Sequence, residues 1–175
     1  MQPVTSDADA SAACAHFIAN LRPGTPGNGL TVQVSVRPTL KNIPGIGSQG
    51  AWASNSSVFQ RSTSTVLIDG PIFANYGIDA QVGVLAHELG HAFSHDQGGT
   101  PAHYVSAFVT PAGAEEAYAD RMACVWGFYA ELRSMRVADG AHANYLTALS
   151  EWNDEGVYLT EMAKYHLQKF AGIVP

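Results

Sequence analysis

The chain has 175 residues, of which 46% are hydrophobic and 14% charged, with a formal net charge of −6. This length suits one domain with a sizeable core, so we expect a single domain over residues 1–175 and exclude a disordered chain. Lys and Arg number nine and form no cluster, which argues against nucleic acid or an anionic membrane as partner.

Apolar stretches fall far short of the roughly 20 residues of a membrane helix, so we expect no membrane insertion. The N-terminal residues show no basic n-region of a secretory signal, since the first basic side chain is Arg22. Localisation stays open between a cytosolic protein, export by a signal-independent route and a domain of a larger protein.

The first part of the chain predicts a short helix followed by a small sheet. Alanine-rich residues 8–21 favour a helix that ends at a cluster of Pro and Gly. Apolar and polar residues alternate over 30–37, which predicts a strand with one buried face. Two more strands are predicted over 51–59 and 64–69. The glycine-rich residues 43–50 lack the lysine and the spacing of a phosphate loop, so we expect a flexible rim there.

Residues 79–94 predict the next helix, with Asp79 as its N-cap. The helix carries an apolar stripe with His87 and His91 beside it, within an H-E-x-x-H motif. Two imidazoles four positions apart lie about 40° apart around a helix and about 6 Å along it, so both can bind one metal ion. This geometry fits zinc (Zn²⁺), and Glu88 between them can take a proton from the attacking water in amide hydrolysis.

Catalytic zinc usually keeps three protein ligands, so the two histidines need a partner from elsewhere in the chain. His95 continues their row, but it lies about 6 Å beyond His91, too far for three imidazoles of one straight helix to share a tetrahedral ion. The longer metzincin motif fails because Ser94 and Gln97 stand where it needs Gly and His.

A second helix, predicted over residues 114–137, offers another ligand. Glu116 and Asp120 lie four positions apart on one face of it. Glu116 can bind the metal while Asp120 accepts a hydrogen bond from the far nitrogen of a ligating histidine. The alternative is that both acidic residues only complement the helix macrodipole, although Asp120 lies a full turn inside the helix.

The order of these residues resembles the gluzincin family of zinc metallopeptidases. Its pattern of H-E-x-x-H followed by E-x-x-x-D spans about 35 residues here, and Glu116 follows His91 by 25 positions. The resemblance implies zinc as cofactor with His87, His91 and Glu116 as ligands. It also implies Glu88 as general base and Asp120 as the support of His87.

The remaining elements complete the expected fold. Residues 96–113 predict a loop, and residues 141–152 and 154–170 predict two more helices. The expected fold class is α+β and zincin-like. An upper half over residues 1–95 packs a small twisted sheet on the H-E-x-x-H helix, and a helical lower half over 96–175 supplies the third ligand. Substrate would lie between the halves.

The expected reaction is peptide-bond hydrolysis of a protein or peptide substrate, with Glu88 moving a proton from water to the leaving amine. A further donor should stabilise the oxyanion. The catalytic candidates are His166 and Tyr158, out of five side chains that are equally suited to packing or surface roles: His103, Tyr104, Tyr158, Tyr165 and His166. Residues 52–55 are the candidate edge at which extended substrate would pair.

Other functions remain open at this point. Peptide deformylases share H-E-x-x-H but use an upstream cysteine ligand, and the surroundings of Cys14 do not fit that strand. A non-catalytic zinc-stabilised interaction domain and a housekeeping intracellular peptidase are alternatives to a secreted effector or toxin opposed by an immunity protein. Cys14 and Cys124 are either two buried thiols or a disulfide, which would contribute about 4 to 5 kcal/mol.

Overall fold

The computed structural model describes residues 2–4, 8–20, 32–40 and 57–174. Within these residues, all the strands lie before residue 70, and the elements from residue 70 onwards are helices. In chain order the elements are β1 (Gln2–Val4), α1 (Ala8–Ala19), β2 (Gln33–Arg37), β3 (Ser57–Gln60), a 3-10 turn (Arg61–Thr63), β4 (Thr65–Asp69), α2 (Gly70–Ala74), α3 (Ile78–Asp96), α4 (Ala102–Ala107), α5 (Pro111–Val125), α6 (Tyr129–Ala138), α7 (Ala143–Ser150) and α8 (Glu155–Phe170).

The strands form one sheet in the order β1-β2-β4-β3. The pairs β1–β2 and β2–β4 are parallel, whereas β3 runs antiparallel to β4 with Ser57 opposite Ile68. β4 is buried at every position, as expected for a strand that is covered on both faces. β3 is the outer strand beside it and packs on α3. The predicted α+β class with a small sheet is confirmed.

α3 is more deeply buried than the sequence predicted. Residues 80–90 are buried on every face, because α1, α5, α6 and β3 surround the helix. Two glycines allow this packing. A Cβ at Gly83 would lie 2.3 Å from Glu131 O on α6, and one at Gly90 would lie 2.6 Å from Ala119 O on α5. The predicted N-cap is also wrong, since Gly77 caps α3 and Asp79 lies in its first turn.

The helix predicted over residues 114–137 is two helices. Gly127 has a φ of 91°, a left-handed conformation that ends α5 and lets α6 start in a new direction. Thr110 caps α5 by accepting a hydrogen bond from Gly113 N at 3.1 Å. α5 and α6 then pack on the same helix, α3. The loop predicted over 96–113 contains α4 and the start of α5.

The helices predicted over residues 8–21, 141–152 and 154–170 are observed with ends shifted by one to two residues. Cys14 and Cys124 are buried free thiols, in agreement with the first of the two alternatives. None of the described helices is long and apolar enough to cross a membrane. The predicted rim at 43–50 and the substrate edge at 52–55 lie outside the described residues.

Candidate metal centre

Three side chains with metal-binding chemistry converge between α3 and α5. His87 Nε2 lies 3.1 Å from His91 Nε2. Glu116 Oε2 lies 3.3 Å from His87 Nε2, and Glu116 Oε1 lies 3.3 Å from His91 Nε2. One ligand atom of each residue lies within 4.8 Å of the other two. Two imidazole nitrogens and a carboxylate oxygen are the donor set that a catalytic zinc ion takes, so the residues fit the expected group. His95, exposed near the end of α3, is not part of this cluster.

The helices bring the ligands together for local reasons. His87 and His91 share one face of α3 because they are four positions apart. Gly90 lies between them and lets α5 approach at Ala119, which is three residues from Glu116 and one from Asp120. The close contact of the two helix backbones therefore sets the position of the third ligand relative to the histidines.

A second set of contacts holds His87 through its other ring nitrogen, Nδ1. Its Nδ1 lies 2.6 Å from Oδ1 of Asp120, and the Asp120 side chain is fully buried. The sequence predicted this contact. Arg136 places Nη2 2.6 Å from the same oxygen and donates from Nε to Oδ2 at 3.1 Å. The Tyr145 hydroxyl also donates to Oδ2. Both oxygens of Asp120 are thus satisfied, and the carboxylate holds the imidazole in one orientation.

The charges around His87 explain its proton affinity in the metal-free protein. Burial disfavours the imidazolium, but the Glu116 and Asp120 carboxylates outweigh burial and Arg136, and raise the pKa of His87 to about 10. Burial likewise disfavours the Glu116 carboxylate, yet His87 and His91 hold its pKa well below the usual range. Arg136 and His87 lower the pKa of Asp120 against the same effect. A bound cation would replace a proton on His87.

Glu88 lies on the other side of α3, facing the sheet. It is 3% exposed, and Ser57 Oγ donates to its Oε1 at 2.6 Å. Its Oε2 is buried and has no hydrogen-bond partner among the residues that the structure describes. An unpaired buried carboxylate oxygen is costly and therefore rare, so it marks a position where chemistry is expected.

The cluster lies in a cleft of about 760 Å³. β3 forms one wall, the end of α6 and the start of α7 form another, and α8 contributes Tyr165, His166 and Lys169. His87, Glu88, His91 and Glu116 all line it. The cleft is large enough for several residues of an extended chain.

Three of the five candidate oxyanion donors lie outside this cleft. Tyr158 is fully buried, and its hydroxyl donates a hydrogen bond to Ala117 O at 2.6 Å. It packs in the interior and does not line the cleft, where its predicted catalytic role would place it. Tyr104 is fully buried and donates to Glu155 at 3.3 Å. His103 is exposed on α4, 3.6 Å from the same carboxylate.

His166 and Tyr165 do line the cleft, from consecutive positions on α8. The His166 ring packs edge-on against Phe108 and Tyr165, and burial lowers its pKa to about 4. Its Nε2 is buried and has no partner in the described part of the chain. Burial raises the pKa of Tyr165, so its hydroxyl stays protonated and can donate.

Arg136, Tyr145 and Ser57 were not found from the sequence. A straight helix from 114 to 137 would carry Arg136 about 24 Å from Asp120, since each residue adds about 1.5 Å. The signal for the break was Gly127, because glycine in left-handed conformation commonly ends a helix. Arg121, which follows Asp120 in sequence, instead lies 3.2 Å from Glu155. No sequence signal distinguished Ser57 from other strand serines.

Comparisons of the chain with protein-family models, with curated proteins and with solved structures give no match.

Proposed function

We propose that this protein is a zinc-dependent endopeptidase of the gluzincin type, with a zincin-like fold. One observation carries the proposal. His87, His91 and Glu116 hold their ligand atoms within 4.8 Å of one another in a cleft that Glu88 also lines. A metal centre with only structural purpose has a closed set of four protein ligands, whereas three ligands beside a cleft leave one position open.

Zinc bound there would polarise the scissile carbonyl and lower the pKa of the attacking water. Glu88 Oε2, which has no partner among the described residues, takes the proton of that water and passes it to the leaving amine. Asp120 keeps Nδ1 of His87 in its protonated form, so that Nε2 faces the metal. Tyr165 and His166 on the cleft wall are the candidate donors to the oxyanion.

A protein or peptide segment is the proposed substrate. β3 is the outer strand of the described sheet, and Ser57, Val58 and Phe59 line the cleft. An extended peptide can add to such a strand through its main chain, with alternate side chains pointing into the cleft. A secreted effector opposed by an immunity protein and a housekeeping peptidase both use this chemistry.

Metal content and hydrolysis test the proposal together. Purified protein is expected to hold near-stoichiometric zinc by elemental analysis, and His87→Ala and Glu116→Ala are expected to lose most of it. The zinc-loaded protein should cleave a casein-derived substrate, and a chelator should abolish cleavage. Full retention of zinc in Glu116→Ala would remove the gluzincin assignment.

Glu88→Gln separates the catalytic from the non-catalytic hypothesis. The amide keeps the shape and the contact with Ser57 but cannot accept the proton of water. Turnover should fall by about 10² to 10⁴-fold while zinc content and melting temperature stay near wild type. Undiminished cleavage by Glu88→Gln would exclude this mechanism. A zinc-loaded wild type without any peptidase activity would favour the zinc-stabilised interaction domain.

A further inference from the structure

The contact between Ser57 and Glu88 joins the sheet to the proposed base. Ser57 Oγ donates to Glu88 Oε1 at 2.6 Å across 31 residues of chain, and the two residues are 9% and 3% exposed. Burial removes water as a competing donor and strengthens the bond. Oε2 of the same carboxylate is buried without a partner among the described residues. The two oxygens of one carboxylate therefore have different surroundings, because Oε1 accepts a hydrogen bond and Oε2 accepts none from the described residues.

The direction of β3 explains why this serine reaches Glu88. Successive side chains of a strand point to opposite faces, so Ser57 and Phe59 share the face towards α3. The Phe59 ring lies 6.2 Å from the His95 ring, and Ser57 meets Glu88 two helical turns earlier. Pairing with Ile68 in the buried strand β4 holds the backbone of Ser57. The hydroxyl thus has a fixed position relative to the helix that carries the ligands.

We propose that Ser57 is a positioning residue for the base: its hydroxyl holds Glu88 Oε1 so that Oε2 faces the attacking water. This inference rests on the proposed peptidase function. The terminal torsion of a glutamate has a broad, two-fold profile, so an unrestrained carboxylate samples many orientations. One short hydrogen bond to a fixed donor restricts that rotation. Because β3 also lines the cleft, the strand that would pair with substrate is the strand that orients the base.

Ser57→Ala removes the donor and tests this role in the zinc-loaded full chain. With a casein-derived peptide, kcat is expected to fall roughly 10- to 100-fold, because misplacing a reacting group by about 1 Å has effects of this size. KM, zinc content and melting temperature should stay near wild type. Ser57→Thr keeps a hydroxyl at the same carbon and should restore most of kcat.

Gln60→Ala is the matched control on the same strand. Its side chain accepts a hydrogen bond from Thr63 and lies outside the cleft lining, so kcat should remain at the wild-type value. An equal fall of kcat in Gln60→Ala would mean that any disturbance of β3 slows the reaction, and it would overturn the specific role of Ser57.

A double-mutant cycle with Glu88→Gln decides the case even if Ser57→Thr fails to fold. Without a carboxylate base to orient, Ser57→Ala should leave the residual rate of Glu88→Gln unchanged. A further loss of similar size in that background overturns the inference. An active wild type with an equally active Ser57→Ala removes the inference and leaves the proposed function intact. A zinc-loaded wild type that cleaves nothing removes both.

Discussion

A buried carboxylate lies on each of two sides of α3, and the two carboxylates differ in their hydrogen bonds and ion pairs. On the side of α5 and α6, Asp120 is fully buried and both of its oxygens are bound, by His87, Arg136 and Tyr145. On the side of the sheet, Glu88 is almost as buried but receives one hydrogen bond, from Ser57. Arg136 compensates the charge of Asp120, whereas the structure shows no ion pair for Glu88 among the described residues.

This difference separates a carboxylate with two bound oxygens and a counter-charge from one that has neither among the described residues. Arg136 and His87 keep the pKa of Asp120 below its usual range against the effect of burial, so that residue stays ionised and holds the imidazole. A group bound on every side cannot reach a substrate. Glu88 has one oxygen without a partner among the described residues and lines the same cleft as the histidines, which is compatible with the general-base role proposed for it.

The largest effect is expected when the ion pair of Asp120 is broken. Arg136→Met removes the guanidinium and leaves the buried Asp120 carboxylate with His87 as its remaining cationic neighbour, so the free energy of unfolding should fall by about 3 to 5 kcal/mol. Urea unfolding of the metal-free protein at neutral pH measures this change. Adding Asp120→Asn to Arg136→Met should recover part of the loss, because the side chain at position 120 then carries no charge that needs a partner.

The Arg61–Glu115 pair is the control for this prediction. Its atoms are as close, 2.6 Å apart, but the Arg61 side chain is 58% exposed. Arg61→Ala should therefore change the free energy of unfolding by about 0 to 1 kcal/mol. Equal losses in Arg61→Ala and Arg136→Met would show that the buried network around Asp120 adds no more than a surface pair.

The part of the site that follows from short-range spacing was predictable. His87 and His91 share a helical face by their spacing of four, and the alternation around Val34 was enough to predict β2. Glu116 and Asp120 were linked to the histidines by a family resemblance, and the structure brings all four together. Local pattern and motif order were thus enough to group the three proposed ligands with the residue that contacts His87.

The contacts that fix those side chains in space were not predictable in the same way. Arg136 reaches Asp120 only because the chain turns at Gly127, and Ser57 reaches Glu88 only through the pairing of β3 with β4. Tyr158 has donor chemistry but forms its hydrogen bond with a helix carbonyl instead of lying in the cleft. Which partner a side chain finds depends on tertiary packing, which periodicity does not encode.

An intermediate effect is expected when the packing of α3 on α5 is disturbed. The Cβ of Gly90→Ala would lie 2.6 Å from Ala119 O and 2.7 Å from its Cα, so one backbone must move. Overpacking of this kind costs about 1 to 3 kcal/mol. The shift would also displace the neighbouring Asp120, so zinc affinity should fall together with stability. Urea unfolding and a zinc titration measure the two quantities.

Gly156→Ala is the comparison for Gly90→Ala. The Cβ there would meet only Asp154 Oδ1, at the ordinary distance of 3.5 Å, and alanine is the better helix former by about 1 kcal/mol. This variant should be as stable as wild type or more so, with unchanged zinc affinity. If Gly90→Ala behaved in the same way, the glycine of the H-E-x-x-H motif would have no role in placing α5.

The smallest effect on zinc affinity is expected when Asp120 keeps its shape but loses its charge. In Asp120→Asn the side-chain oxygen still accepts the hydrogen bond from His87, while the charge that raises the basicity of the ligand is gone. Zinc affinity should fall about tenfold, the lower end of such losses, which corresponds to about 1.4 kcal/mol. Asp120→Ala should bind zinc more weakly still, and it removes the nearest of the carboxylates that pair with Arg136, so its stability should fall as well.

A chelator competition titration on wild type, Asp120→Asn and Asp120→Ala gives the order of affinities, and thermal unfolding reports stability separately. The view that Asp120 is a solvated carboxylate that complements the helix dipole is wrong, because the side chain is fully buried. What the titration decides is whether the buried carboxylate acts on the metal through His87. Three equal zinc affinities, with only the alanine variant less stable, would limit Asp120 to its ion pair with Arg136.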